Sequence, residues 1–182
     1  MEGTKLHGHG DTPGGLENCH TVDRGIQGMS ASDLKRILQL YPEQPNRRVQ
    51  KELQMKYDDA SWHSGGSFPK DLPASAGATH TGMYVAWALQ KGLASKLHTD
   101  EMADDLHRLA ERSLTPGAFF LSVCDGKFTD EDLSEEGNAF TAVYFDFSDG
   151  LYLADYELAL AEGLPDIQDA LYYVADTWEN FD

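Results

Sequence analysis

Two aspartates and two histidines crowd the middle of this chain. Asp58 and Asp59 are followed by Trp62 and His63, and His80 lies seventeen residues beyond His63. Carboxylates and imidazoles ligate divalent cations and exchange protons near neutral pH, so such a group can hold a metal or form an acid–base pair. The spacing matches no HxxxH, HExxH or CxxC pattern. The same residue types brace turns, cap helices and sit hydrogen-bonded beside tryptophan in cores. The expectation is therefore structural, with no metal, cofactor or catalytic residue. The alternative is a small metal-dependent enzyme using Asp58, Asp59, His63 and His80.

A second histidine group, His7 and His9 with Asp11, then Cys19 and His20, sits in a glycine-rich N-terminal stretch. Without a rigid surround such a tract picks up zinc or nickel only weakly. The remaining chemistry is charge. Residues 1–99 hold 11 Lys/Arg against 10 Asp/Glu, whereas residues 100–182 hold 3 against 21, which accounts for the net charge of −17. Ordinary surfaces mix signs, so helix-terminal acids alone explain this half poorly. No segment has the alternating acids, central glycine and final glutamate of an EF-hand loop. P-loop, GxGxxG and GxSxG signatures are absent, and neither cysteine lies in a nucleophile motif. Direct nucleic-acid binding by the acidic half is excluded for want of clustered Lys and Arg.

Acids that repel one another favour a basic partner, whose approach they speed. The candidate partner-binding residues are Asp130, Glu131, Asp132, Glu135, Glu136, Asp146 and Asp149, with exposed Tyr, Trp or Phe beside them as anchors. An acidic anti-defence protein or nucleic-acid mimic is a further alternative.

These residues need elements to position them. Residues 1–29 read as a flexible arm, and residues 30–56 as a short helix from Ser30 or Ser32 to Leu40, ended by Pro42 and Pro45, plus a basic linker. Residues 57–182 form the globular domain. Residues 57–78 are punctuated by Gly and Pro and read as loop with short extended pieces. A helix is expected over 79–92, capped by Thr79 or Thr81 and stopped by Gly92. Another runs from Thr99, as cap, to Arg112, with Met102, Leu106 and Leu109 facing inward. A short apolar segment carries Phe119, Phe120 and Leu121, and Asp125-Gly126 turns the chain. Helices are expected from Ser134 into Phe147 and over 151–161, with a turn at Asp149-Gly150 between them. Leu171 to Val174 is β-prone, and DTWENF closes with one helical turn. The fold class is α+β, predominantly helical: a single compact domain with a few short strands and a flexible N-terminal arm. Two cysteines make no disulfide framework, and the chain shows neither an apolar run of membrane-spanning length nor a signal peptide, so a cytoplasmic location is expected.

At YDDASWH, FPKDLPASAGATHTGMYVAWALQKGL and the closing LYLADYE…LYYVADTWENF, the chain resembles an uncharacterised bacterial family with a YDDxxWH start, an HxGMxxAW helix and a DTWxNY-type end. The resemblance spans about Tyr57 to Phe181, and Phe181 stands where the family has an aromatic such as Tyr. By position the shared residues are Tyr57, Asp58, Asp59, Trp62, His63, His80, Gly82, Trp87, Asp155, Tyr156, Asp176, Trp178 and Asn180, most of them of scaffold character. The family carries no established activity. The resemblance implies small cytosolic proteins, some encoded beside toxin or secretion-effector genes. Together with the acidic half it gives the functional expectation: a non-enzymatic immunity protein that neutralises a toxin with a basic surface, such as a type VI secretion effector, without touching nucleic acid or membrane.

Overall fold

The computed structural model describes residues 55–66, 68–146, 150–160, 164 and 170–182. The arm, the Ser30–Leu40 helix, Phe147, Asp149 and the N-terminal histidines lie outside them. The architecture is the expected α+β one, mostly helical with a small antiparallel sheet.

That sheet pairs β1 (Lys56–Asp59) with β2 (Lys127–Thr129), setting Lys56 against Thr129, Asp58 against Phe128 and Asp59 against Lys127. Among the described residues the few expected strands reduce to this pair. Asp125 and Gly126 lead into β2 with both φ angles positive, at 54° and 65°. Asp and Gly tolerate that left-handed geometry, which is why this dipeptide can turn the chain so sharply.

Helix α1 (Thr79–Ala88) is the central element, with every residue buried. Its lack of a polar face follows from being enclosed on all sides. Neither expected threonine caps it: the preceding residue is Ala78, after a 3₁₀ turn over Ala74–Ala78. The helix loosens into wider turns over Leu89–Leu93, where Gly92 reaches a φ of 79° and ends it as expected.

The next helix is shorter than its sequence pattern. Wide turns over Leu97–Glu101 break at Met102, and α2 covers only Ala103–Ala110. Thr99 caps nothing there, because its hydroxyl donates to Asp100 Oδ1 at 2.9 Å. Leu109 is buried and Leu106 packs against the core.

The segment after Pro116 is a full helix, α3 (Pro116–Val123), with proline at its first turn and Phe119 and Phe120 inside. Helix α4 (Glu135–Tyr144) starts at Ser134, whose hydroxyl accepts from the Gly137 N–H at 3.2 Å. It is followed by α5 (Tyr152–Leu160) and α6 (Trp178–Phe181), the latter capped by Thr177. The β-prone Leu171–Val174 stretch is instead a 3₁₀ turn over Ala170–Tyr173. Its tyrosines bond side chains of the 58–71 region rather than forming a ladder: Tyr173 donates to Asp71 at 3.1 Å, and the Tyr172 hydroxyl meets His63.

The core is aromatic. Tyr84 of α1 sits at its middle, with the rings of Trp87, Phe128, Tyr144, Phe145 and Tyr152 between 4.6 and 6.3 Å away. Its hydroxyl bonds Thr141 Oγ1 at 2.9 Å, so the polar tip is not stranded.

Candidate functional site

Asp58 closes on two histidines because three short elements meet beside β1. Asp59 accepts from the Ser61 N–H at 3.0 Å and the Ser61 hydroxyl at 2.7 Å, which tightens Ala60–His63 into a 3₁₀ turn. That turn folds His63 back over Asp58. His80 and Thr81 come from the first turn of α1 on the other side. The chain thus joins residues 22 positions apart around one carboxylate.

Asp58 Oδ1 accepts from the Asp59 N–H at 2.7 Å and faces His63 Nε2 at 2.8 Å. Oδ2 accepts from the Thr81 hydroxyl and lies 3.5 Å from His80 Nε2. The other nitrogen of His63 meets the Tyr172 hydroxyl at 2.9 Å. The two imidazoles touch edge to face, with centroids 4.5 Å apart. Asp58 and His80 are enclosed, while 15% of the His63 side chain reaches solvent. One donor atom from each of Asp58, His63 and His80 falls within a 4.8 Å span.

Burial alone would raise the Asp58 carboxyl. The close approach and charge of His63 and His80 outweigh it and hold the group well below the usual carboxylate range. Burial pushes His80 down, and the Asp58 carboxylate offsets only part of that. His80 has no hydrogen-bond partner at either ring nitrogen.

The expected fourth member, Asp59, does not join. Besides capping Ser61, it accepts from Lys56 Nζ at 2.7 Å, and these bonds overcome burial to bring its carboxyl down to about 2. Two residues not expected at this site complete the cluster. Thr81 adjoins His80 and could have been inferred from helical spacing. Tyr172 is 109 positions from His63, and nothing local signals the contact.

A second cluster was invisible in the sequence. His98, Cys124 and Asp132 also bring one donor atom each within 4.8 Å. Here His98 Nε2 meets Asp132 Oδ1 at 2.9 Å, and Asp132 Oδ2 accepts from the Thr129 N–H at 2.8 Å in a capping box over Asp130–Asp132. This corrects the expected acidic face. Asp132 is buried, because a turn leaving β2 uses its carboxylate to tie down backbone.

Of the other partner-binding candidates, Glu131, Glu135, Glu136 and Asp146 are exposed and Asp130 is half-buried, with Oδ1 accepting from the Met55 N–H at 3.1 Å. Asp149 lies outside the described residues. Trp62 is 58% exposed. Lys56 stands 5.6 Å from its ring and pairs in the sheet with Thr129, the residue before Asp130 and Glu131. Met55 and the first two acids of the predicted face thus gather at the Lys56–Thr129 end of the sheet, while Trp62 follows Asp59, which pairs with Lys127 at the other end.

Among the described residues no helix is long and apolar enough to cross a membrane. No curated protein and no solved structure matches the chain. Residues 56–172 match a family described as a domain of unknown function, DUF7832, a span that holds Asp58, His63, His80 and Tyr172 together, and the chain belongs to that family.

Proposed function

We propose that this chain is a non-enzymatic inhibitor of a basic partner protein: a cytosolic immunity protein that occludes the cleft of a toxin, such as a type VI secretion effector. The observation that carries the reading is Trp62, a large apolar ring left 58% exposed on a chain whose second half is strongly acidic. An exposed tryptophan is the residue type of an interface anchor. Glu135 and Glu136 on the first turn of α4, and Asp146 after it, extend the acidic character. Only three Lys/Arg accompany 21 acids beyond residue 99, so a basic cleft meets little repulsion there.

The mechanism is steric cover with electrostatic guidance. Acids draw the partner in, Trp62 is desolvated on contact, and the partner's substrate is shut out. The test is growth of cells expressing the product of the adjacent gene, where that product alone arrests growth. Co-expression of this chain restores growth, and Trp62→Ala combined with Glu131→Lys and Glu135→Lys abolishes the rescue. Rescue that survives all three substitutions overturns the assignment of this face, and absence of rescue by the native chain overturns the pairing.

A further inference from the structure

We propose that Asp58, His63 and His80 bind a divalent transition-metal ion of the zinc class. Two imidazole nitrogens and one carboxylate oxygen are a donor set that zinc accepts, and here each comes from a different short element converging on one point.

The geometry is close to that of a loaded site. Zinc–ligand bonds of about 2.0–2.2 Å in a tetrahedron put neighbouring donors roughly 3.4 Å apart. His80 Nε2 is 3.5 Å from Asp58 Oδ2. His63 Nε2 lies 2.8 Å from the other oxygen, Oδ1, so His63 has to shift and give up that bond before both imidazoles share one carboxylate oxygen as fellow ligand. His63 sits at the edge of the cluster on a four-residue turn, where such a shift costs least.

His80 supplies the second argument. Its ring is fully buried, faces the carboxylate through Nε2, and has no hydrogen-bond partner at that nitrogen. Leaving a buried polar atom unpaired is costly. Coordination removes that cost by using the lone pair directly.

The surround is that of a held site. The Tyr172 hydroxyl meets His63 Nδ1 and orients the ring with Nε2 toward Asp58; on coordination Nε2 gives up the proton it shares with Asp58, and Nδ1–H donates to the Tyr172 oxygen. Thr81 and the Asp59 N–H orient the carboxylate from both oxygens. Because His63 alone is partly exposed, an ion enters from its side, which also leaves open coordination positions there for water or a ligand.

The His98–Cys124–Asp132 group provides the contrast. The nitrogen of His98 that faces Asp132 is already bonded to it, and the second oxygen of Asp132 is committed to a backbone N–H. The unpartnered nitrogen there is Nδ1, the one that does not face the carboxylate, whereas in His80 Nε2 faces it.

The test is a Co²⁺ titration of the untagged, chelator-stripped full chain, followed by its visible bands and then by Zn²⁺ displacement. His7, His9, His20 and Cys19 are replaced by alanine so that they do not compete for the ion. One equivalent of Co²⁺ should bind with the visible bands of a low-coordinate ion and leave on Zn²⁺ addition. His63→Gln, the replacement that disturbs the core least, should weaken binding about a hundredfold or more, and Tyr172→Phe, which keeps all three ligands, about tenfold. Circular dichroism confirms that each variant is folded. Absence of saturable binding, or affinity unchanged in both folded variants, overturns the proposal.

Discussion

Gly82 and Gly117 meet backbone to backbone where α1 crosses α3. A Cβ built on Gly82 would stand 2.6 Å from the Cα of Gly117 and 2.7 Å from the carbonyl oxygen of Pro116. Helix α1 cannot carry a side chain there without moving away, and a Cβ on Gly117 would strike the Asp176 carboxylate at 2.8 Å. The crossing matters because α1 brings His80 and Thr81 to Asp58.

Gly82→Ala therefore pries apart the two central helices. Overpacking of this kind costs about 1–3 kcal/mol, and with backbone on both sides the upper end applies, or roughly 6–12 °C in melting temperature. Gly65→Ala, where nothing lies within 4 Å of the added methyl, is the control and should shift stability by less than about 0.5 kcal/mol. Thermal unfolding of both variants checks the pair. Equal melting temperatures would mean the crossing is looser than described.

Asp176 reaches α3 from the far end of the chain. Its carboxylate accepts from the Gly117 N–H at 2.8 Å, the Ala118 N–H at 3.1 Å and the Thr115 hydroxyl at 2.5 Å. It acts as the N-cap that Thr115 does not supply. Asp176→Ala should cost about 1–2 kcal/mol and Asp176→Asn less, since the amide oxygen still accepts. Urea melts decide it, and equal losses from the two substitutions would point to lost charge rather than a lost cap.

Cys124 should be chemically quiet. Burial, and after it the Asp132 carboxylate, push its thiol well above the ordinary range, so little thiolate exists at pH 8. In a Cys19→Ser chain, disulfide-exchange reagents should modify Cys124 at least about a hundredfold more slowly in the native protein than in urea. Equal rates in the two states would place Cys124 at the surface.

Five tyrosines, Tyr57, Tyr84, Tyr144, Tyr152 and Tyr156, are held above their ordinary pKa, in each case chiefly by burial. A raised pKa in the folded state means that the unfolded chain loses its protons first. Stability is thus complete below about pH 10 and falls as pH rises beyond it, by up to about 1.4 kcal/mol per pH unit for each such group. Tyrosinate absorbance should lag and then rise cooperatively together with loss of far-UV dichroism. A smooth titration of all eight tyrosines in a protein that stays helical would contradict the buried aromatic core.

The sequence made some of this legible. Apolar spacing marked α1, α4 and α5, and turn chemistry marked Gly92 and Asp125-Gly126, because these signals are local. The Thr99 helix broke early because wide turns at Leu97–Glu101 place His98 on Asp132, a tertiary contact with no local signature. The Leu171–Val174 stretch has strand propensity, yet its tyrosines are held by His63 and Asp71 across the fold. Asp58, His63 and His80 were singled out by type. What spacing could not show is that Asp59 turns to Lys56, that Tyr172 joins them, and that Asp132 faces inward. Side-chain direction at a turn depends on which backbone atoms need satisfying.

The central claim is that the exposed acids guide a basic partner onto this chain, and the association rate tests it most directly. With the purified product of the adjacent gene as ligand, the on-rate of the native chain should fall by about tenfold or more from low to high salt. Glu131→Lys with Glu135→Lys and Glu136→Lys should lower the low-salt rate by a similar factor and flatten its salt dependence, while the melting temperature holds. An on-rate indifferent to salt and to these charge reversals would contradict the account.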